Sequence, residues 1–246
     1  MKNDLGNNRW AGLAGLAGAL LFFVGDMILV GHWGAGSDVC EGSLRMLRES
    51  TQVRLFIGDL AGPIAGCLCL LGFWHVRQNL IGRSPYLGRV VLFALGAAIV
   101  AVSVVHELLV PLRLAHRYSD AHPGAAVELF DALRSYLNLA HYLEDGPAYL
   151  GAFLLLSLVL SGWSSYPRWT AMANFGLLSF IGPLAHRVPV PFGSVLFGGF
   201  ESLTLSTFFL VSVIATWRGP ATQKTGCSER PDCAEVLNHT LSDRRF

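Results

Sequence analysis

The chain has 246 residues, of which 52% are hydrophobic and only 14% are charged, and its mean hydropathy is +0.48. Because a soluble domain carries roughly 25% charged residues, this composition excludes a soluble globular protein and predicts an all-α, polytopic membrane helix bundle. The net charge of +1, with no basic stripe, excludes nucleic acid as a partner.

Six apolar segments are long enough to cross a bilayer. They cover residues 10–31, 53–76, 89–112, 139–160, 169–185 and 195–217. The fifth segment is the shortest and contains Pro183. The sequence therefore predicts one domain of about six transmembrane helices over residues 1–218, followed by a polar, disordered tail over residues 219–246.

Two further patterns concern helix packing and the longer loops. Glycines repeat at four-residue spacing in the second segment, which leaves one stripe of that helix open to close backbone approach: Gly58, Gly62 and Gly66. Residues 128–137, in the loop after the third segment, carry leucines at spacing four and predict a short interfacial helix.

Lys and Arg are more numerous on the side of the termini, so both termini are predicted to lie in the cytoplasm, with the chain in the cell membrane.

Ionisable residues inside the apolar segments are the main functional signal, because such residues are energetically expensive and usually face a bundle interior. Alternate threading of the segments, at 1.5 Å rise per residue, brings four acids to one depth, about 8–10 Å below the same surface: Asp26, Asp59, Glu107 and Glu201. At the same end lie His106, His141, Glu144 and Asp145. The opposite halves of the segments are almost free of ionisable groups, so the sequence predicts one polar chamber in one leaflet.

A carboxyl group in a low-dielectric pocket can stay protonated at neutral pH and act as a general acid, while a neighbour accepts a proton. We predict Asp26 and Asp59 as an acid pair, with Glu107 and His106 as base or cation stabiliser. Five residues are predicted to contact the substrate: His141, Glu144, Asp145, Glu201 and Arg54.

His141 and Glu144 lie at i, i+3 spacing on one helix face, and this spacing can hold a metal. They lie near the water boundary, however, where a helix N-terminus favours acids without any ligand, so neither a metal nor a cofactor is predicted. The sequence contains no glycine-rich phosphate loop and no Gly-x-Ser-x-Gly elbow. It therefore argues against an ATP-driven pump and against a serine hydrolase.

The Gly-Asp helix at residues 21–31, in a six-segment layout, resembles an uncharacterised family of small bacterial multipass proteins. In size, and in carrying acids within membrane helices, the chain is also similar to integral-membrane terpene cyclases and sterol isomerases, which protonate an epoxide or alkene with buried acids. None of their local motifs is present, so no residue role follows from this similarity.

The leading prediction is a membrane enzyme that applies acid–base chemistry to a lipid or isoprenoid-like small molecule within the bilayer. A small proton- or cation-coupled transporter is the first alternative, since the same acids can bind a proton or cation. A structural membrane protein, in which the polar layer only fixes helix register, is the second.

Overall fold

The computed structural model of the protein describes residues 4–31, 49–80, 85–121, 124–185, 188 and 192–217. All regular secondary structure in the described residues is helical. The helices are α1 (Asp4–Leu29), α2 (Gln52–Gln78), α3 (Pro85–Ala121), α4 (Ala125–Leu160), a 3-10 helix (Arg168–Ala173), α5 (Phe175–Ser179), α6 (Gly182–Ala185) and α7 (Phe192–Thr216). This arrangement confirms the all-α fold class. The predicted tail at residues 219–246 lies outside the described residues.

Five of the described helices are long and apolar enough to cross a membrane, and they are α1, α2, α3, α4 and α7. They form a ring in which α2 packs between α1 and α3, α3 also packs against α4, and α1 also packs against α7. The 3-10 helix and α5 contact both α4 and α7 and so close the ring between them. The protein is therefore a membrane-embedded helix bundle.

The fifth predicted segment, residues 169–185, is not one continuous spanning helix but a 3-10 helix followed by the short helices α5 and α6. The first break falls at Asn174, whose backbone is extended and whose side-chain oxygen accepts a hydrogen bond from the Leu177 amide at 3.3 Å. Its Nδ2 donates to the Ala152 carbonyl of α4 at 2.9 Å, which fixes the break against the ring. Side-chain capping of this kind starts a new helix rather than extending the old one.

Helices α3 and α4 are longer than predicted, at 37 and 36 residues. At 1.5 Å rise per residue each is about 55 Å long, against a hydrocarbon core of about 30 Å. Residues 128–137 do not form a separate interfacial helix but belong to α4, because no glycine or proline interrupts the chain between Ala125 and Asp145. The α3–α4 hairpin therefore extends beyond one face of the apolar layer.

Small residues let α1 and α2 approach backbone to backbone. A Cβ placed on Gly15 would lie 2.5 Å from the Gly72 Cα, and the same distance separates a Cβ on Gly72 from the Gly15 Cα. The predicted glycine stripe of α2 also faces its neighbours. A Cβ on Gly58 would meet Leu29 of α1, and one on Gly62 would meet His106 of α3.

A buried polar network ties the helices together at the end that holds the start of α1. The His75 Nδ1 atom lies 2.7 Å from the Asn8 carbonyl oxygen, and its Nε2 atom lies 3.2 Å from the Thr216 hydroxyl. The Tyr166 and Ser212 hydroxyls share a hydrogen bond of 2.7 Å, and burial raises the pKa of Tyr166 above its ordinary value. The ionisable residues of the predicted site lie at the other end of the bundle.

Candidate functional site

A cavity of about 580 Å³ lies inside the helix ring, within the range of roughly 300–1,000 Å³ usual for small-molecule sites. Six of the predicted site residues line it: Asp26, His106, His141, Glu144, Asp145 and Glu201. Its remaining wall is mostly apolar and includes Phe22, Leu95, Ile99, Val102, Val105 and Leu205. The cavity thus combines a polar, acidic part with a surface suited to a hydrocarbon chain.

Asp26 is held by partners from two other helices. The His106 Nε2 atom of α3 lies 3.2 Å from its Oδ1, and the Ser202 hydroxyl of α7 donates to its Oδ2 at 2.5 Å. The Asp26 side chain keeps 20% of its surface accessible, whereas His106 keeps only 5%. Asp26 is therefore the member of this group that can meet a molecule in the cavity, while His106 and Ser202 fix its orientation.

The place of His106 depends on glycines in the two facing helices. A Cβ on Gly62 of α2 would lie 2.7 Å from the His106 Cβ, and one on Gly25 of α1 would lie 3.6 Å from its Cε1. The Phe22 ring packs on the imidazole with centroids 5.3 Å apart. The glycine before Asp26 in the sequence thus helps to make room for the histidine that contacts Asp26.

A second group of ionisable residues lies on the wall that α4 and α7 contribute. The His141 Nδ1 atom lies 3.4 Å from the Glu144 Oε2 atom, and Glu144 is 8% exposed. Asp145 and Glu201 are more exposed, and the charges of Glu144, Asp145, His141 and Asp26 all act on Glu201. Asp26 and the α4 group therefore face one shared space rather than separate pockets.

The predicted acid pair of Asp26 and Asp59 is not formed. Asp59 instead lies near enough to Glu107 for their charges to interact, and neither residue is among those that line the cavity. Helical geometry explains why Glu107 lies outside the cavity although His106 lines it. The two residues are consecutive in α3, and consecutive side chains of a helix point in different directions. His106 faces α1 and the cavity, while Glu107 is exposed on the outside of the ring.

Arg54, predicted to contact the substrate, caps helix α1 instead. Its Nε donates to the Ile28 carbonyl at 2.6 Å, and its Nη2 lies 3.2 Å from the Gly31 carbonyl oxygen and 3.5 Å from that of Met27. The Met27 and Ile28 carbonyls belong to the last turn of α1 and that of Gly31 follows its end, so the cation also meets the negative end of the helix dipole. Arg54 lines an outer groove between α1 and α2 rather than the cavity.

The described lining of the cavity contains acidic residues without basic Lys or Arg residues to balance them. Among the described residues that line it there is no Lys or Arg, while four carboxyl groups and two histidines are present. No group of three or more His, Cys, Asp or Glu side chains that could hold a metal ion is found within the described ranges. The residues present therefore favour proton transfer or the binding of an uncharged or cationic group.

Sequence reasoning missed Ser202 and Tyr149. Ser202 is one of several hydroxyl residues in this part of α7, with Thr204, Ser206 and Thr207. A serine in a membrane helix commonly bonds its own backbone, so the pairing of Ser202 with Asp26 had no sequence signal. Tyr149 lines the cavity and packs on Phe153 and Phe180, with 6.2 Å between ring centroids in each pair. Its spacing of four from Asp145 on one helix face could have indicated a shared wall.

One family model matches residues 1–218, and its description is a family of unknown function (DUF6796). No curated protein matches the chain, and no solved structure does.

Proposed function

Because this chain belongs to the DUF6796 family, a family of unknown function, we propose its activity from the geometry of its own site. The protein is a membrane-embedded enzyme that applies general acid–base chemistry to a lipid or isoprenoid-like substrate, as cyclases and isomerases do. One observation carries the proposal. Asp26, held by His106 and Ser202, lies where the acidic part of the cavity meets its apolar wall.

Asp26 acts as the general acid. Its carboxyl group donates a proton to an alkene carbon or to an epoxide oxygen of the substrate. The proton leaves Asp26 for the substrate, and the resulting carbocation lies beside the aromatic ring of Phe22, which can stabilise it. His106 and Ser202 hold the carboxyl group in place during the transfer.

The acids of α4 and α7 supply the base. Glu201 faces the same space as Asp26 and is reached by the charges of Glu144 and Asp145. When one of these carboxylates removes a proton from a second carbon, the double bond reforms at a new position. The substrate gains one proton and loses one, so its composition is unchanged, as an isomerisation or cyclisation requires.

The charge of the cavity limits the substrate class. Phosphate-binding sites use Arg, Lys or free backbone amides, and the described lining contains neither cationic residue. Four carboxyl groups would repel a diphosphate or a free fatty acid. The substrate is therefore an uncharged or cationic molecule with a polar group or double bond at the acidic end and a hydrocarbon chain along the apolar wall.

The distribution of Lys and Arg supports an orientation with both termini in the cytoplasm. In this orientation the cavity opens in the leaflet opposite the cytoplasm, because Asp26 lies near the end of α1. A substrate of the bilayer reaches that depth without crossing the apolar midplane.

A proton- or cation-coupled carrier is the second candidate, and the acidic lining favours it, because carboxylates in membrane helices also mark proton and ion paths. A carrier predicts that flux in proteoliposomes responds to a pH gradient. A flux that is the same with and without a pH gradient would contradict the carrier function.

Mass spectrometry of lipid extracts tests the enzyme proposal. Cells that express the wild type are compared with cells that express Asp26→Asn and with cells that express Asp131→Asn, an exposed acid on α4 outside the cavity lining. We expect a product present with the wild type and Asp131→Asn and lost with Asp26→Asn. Identical extracts from three folded proteins would contradict the proposal.

A further inference from the structure

We propose that the cavity selects its ligand by the length of a hydrocarbon chain, because a row of phenylalanine rings closes the cavity at a fixed depth. The ligand is an uncharged or cationic molecule whose chain extends about twelve carbons from its polar end. This inference deepens the proposed function and rests on it where it treats the ligand as the substrate. Binding of the chain is measurable without turnover.

The two ends of the cavity differ in exposure. At the acidic end, 51% of the His141 side chain is accessible. At the opposite end, Phe73 of α2 and Leu95 of α3 line the cavity and are only 3% and 1% exposed. The cavity is therefore open at its acidic end and closed at its apolar end.

The closed end is supported by four phenylalanine rings in a row, which we call the aromatic floor: Phe175, Phe208, Phe209 and Phe73. Successive ring centroids lie 5.6, 5.3 and 5.2 Å apart, the spacing that aromatic pairs prefer. The first and last rings line the cavity, while the two middle rings, from α7, belong to the buried core. Because packed cores yield little to an intruding group, the aromatic floor sets a fixed limit to the chain.

Two helices place the closed end at the same depth. Leu95 precedes His106 by eleven residues in α3, and Phe73 follows Gly62 by eleven residues in α2. His106 and Gly62 lie at one level, since a Cβ on Gly62 would lie 2.7 Å from the His106 Cβ. At 1.5 Å rise per residue, both helices put the closed end about 16 Å from the level at which His106 contacts Asp26.

The wall between the two ends is mostly apolar and includes Phe22, Ile99, Val102 and Leu205. The Thr204 hydroxyl also lies on this wall, but it already donates to the Glu201 carbonyl at 2.8 Å. Cavities with apolar walls take up apolar molecules rather than water. This part of the cavity therefore suits a hydrocarbon chain.

The depth of the cavity gives the length of that chain. Three backbone bonds of an extended polypeptide span at most about 3.6 Å, so an extended chain advances about 1.2 Å per bond. A depth of about 16 Å then corresponds to about thirteen bonds. With its polar group beside Asp26, a chain of about twelve carbons reaches the closed end, and a longer chain does not fit in extended form.

Ala98 is the residue whose size leaves the last part of the cavity open. It lines the cavity and follows Leu95 by three residues, which places both on one face of α3. A leucine at position 98 would occupy the space next to the closed end. Three residues of helix rise are about 4.5 Å, so Ala98→Leu should shorten the accepted chain by about four carbons.

Photolabelling with primary alcohols of graded length tests the length limit. Each alcohol carries a diazirine at the methyl end of its chain, the protein is irradiated in lipid nanodiscs, and the labelled residues are mapped by peptide mass spectrometry. We expect labelling of Phe73 and Leu95, which bilayer lipid does not reach, to be highest at about twelve carbons. In Ala98→Leu the labelling should peak at a chain about four carbons shorter. Ala132→Leu, at an exposed position of α4 outside the lining, should keep the wild-type optimum.

The wild type and the Ala98 variants decide the outcome together. Equal labelling of Phe73 and Leu95 at all chain lengths, or no labelling at any length, would overturn the proposal, as would the same optimum in Ala98→Leu as in the wild type. If Ala98→Leu does not fold, Ala98→Val replaces it, and a smaller shift in the same direction is expected. A length optimum in a protein without turnover would keep the chain-length limit and refute the enzyme. Turnover that depends on Asp26, with labelling that does not depend on length, would do the reverse.

Discussion

Asp26 of α1 and His106 of α3 meet with 3.2 Å between the carboxylate Oδ1 and the imidazole Nε2, and Ser202 of α7 completes the contact at 2.5 Å. Three helices that do not follow one another in the sequence thus converge on one carboxyl group. Such convergence orients the group independently of the substrate, which is what preorganised acid–base chemistry requires.

The Ser202→Ala change removes one of the two partners of Asp26. A hydrogen bond contributes about 0.5–1.5 kcal/mol to stability, so we expect the free energy of unfolding to fall by about that amount and the activity to fall with it. Denaturant titration measures the first effect. Ser157→Ala is the matched control, because the Ser157 hydroxyl only bonds the Phe153 carbonyl of its own helix. Equal stability of the two variants would contradict the assigned contact.

Replacing Gly72 by valine should separate α1 from α2. The added Cβ would lie 2.5 Å from the Gly15 Cα and the same distance from the Phe209 Cε1, and overpacking costs about 1–3 kcal/mol or more. The same substitution at Gly146 of α4 meets nothing within 4 Å. Thermal denaturation in detergent should show a clear loss for Gly72→Val and a much smaller one for Gly146→Val. The reverse order would show that the α1–α2 contact is misplaced.

Arg54→Ala tests the capping role. Loss of the hydrogen bonds to the Ile28 and Gly31 carbonyls should lower the free energy of unfolding by about 1–2 kcal/mol. Turnover per folded molecule should remain, since Arg54 does not line the cavity. Arg89→Ala, at an exposed position of α3, is the control for loss of a surface charge. Normal stability without turnover in Arg54→Ala would contradict the capping role and would indicate that Arg54 contacts the substrate.

Filling the cavity should block the substrate without unfolding the protein. Ala148 lines the cavity, and tryptophan at this position takes up part of its volume of about 580 Å³. We expect turnover or ligand binding to be lost in Ala148→Trp and retained in Ala132→Trp, an exposed position of the same helix. Normal activity in Ala148→Trp would show that this cavity is not the substrate site.

The class of fold followed from composition because a chain this apolar can satisfy its backbone in a bilayer only as helices. Helix rise alone predicted that the acids share one level of the bundle, and six of the nine predicted residues line one cavity. The rise per residue gives the position of a residue along the helix axis, however, and not the direction in which its side chain points around that axis. The direction in which Asp59 and Glu107 point is set by the packing of α2 on α3, which apolar periodicity does not define where every face of a helix is hydrophobic.

The fifth segment shows a second limit of sequence reasoning. Its hydrophobicity suggested a spanning helix, but the side chain of Asn174 bonds α4 and starts a new helix at once. Phe175, Ser179 and Gly182 of the resulting short helices form part of the cavity wall. Asn174 was visible in the sequence, but its partner in α4 was not.

The most direct measurement of the central claim is solvent proton incorporation. Purified protein in nanodiscs is incubated with an extracted lipid mixture in deuterated buffer, and the products are read by mass spectrometry beside Asp26→Asn and Asp131→Asn. The account predicts a lipid product that carries deuterium with the wild type and with Asp131→Asn and that is missing with Asp26→Asn. The same deuterated product from Asp26→Asn, or none from folded wild type, would contradict the claim that Asp26 donates a proton to a membrane substrate.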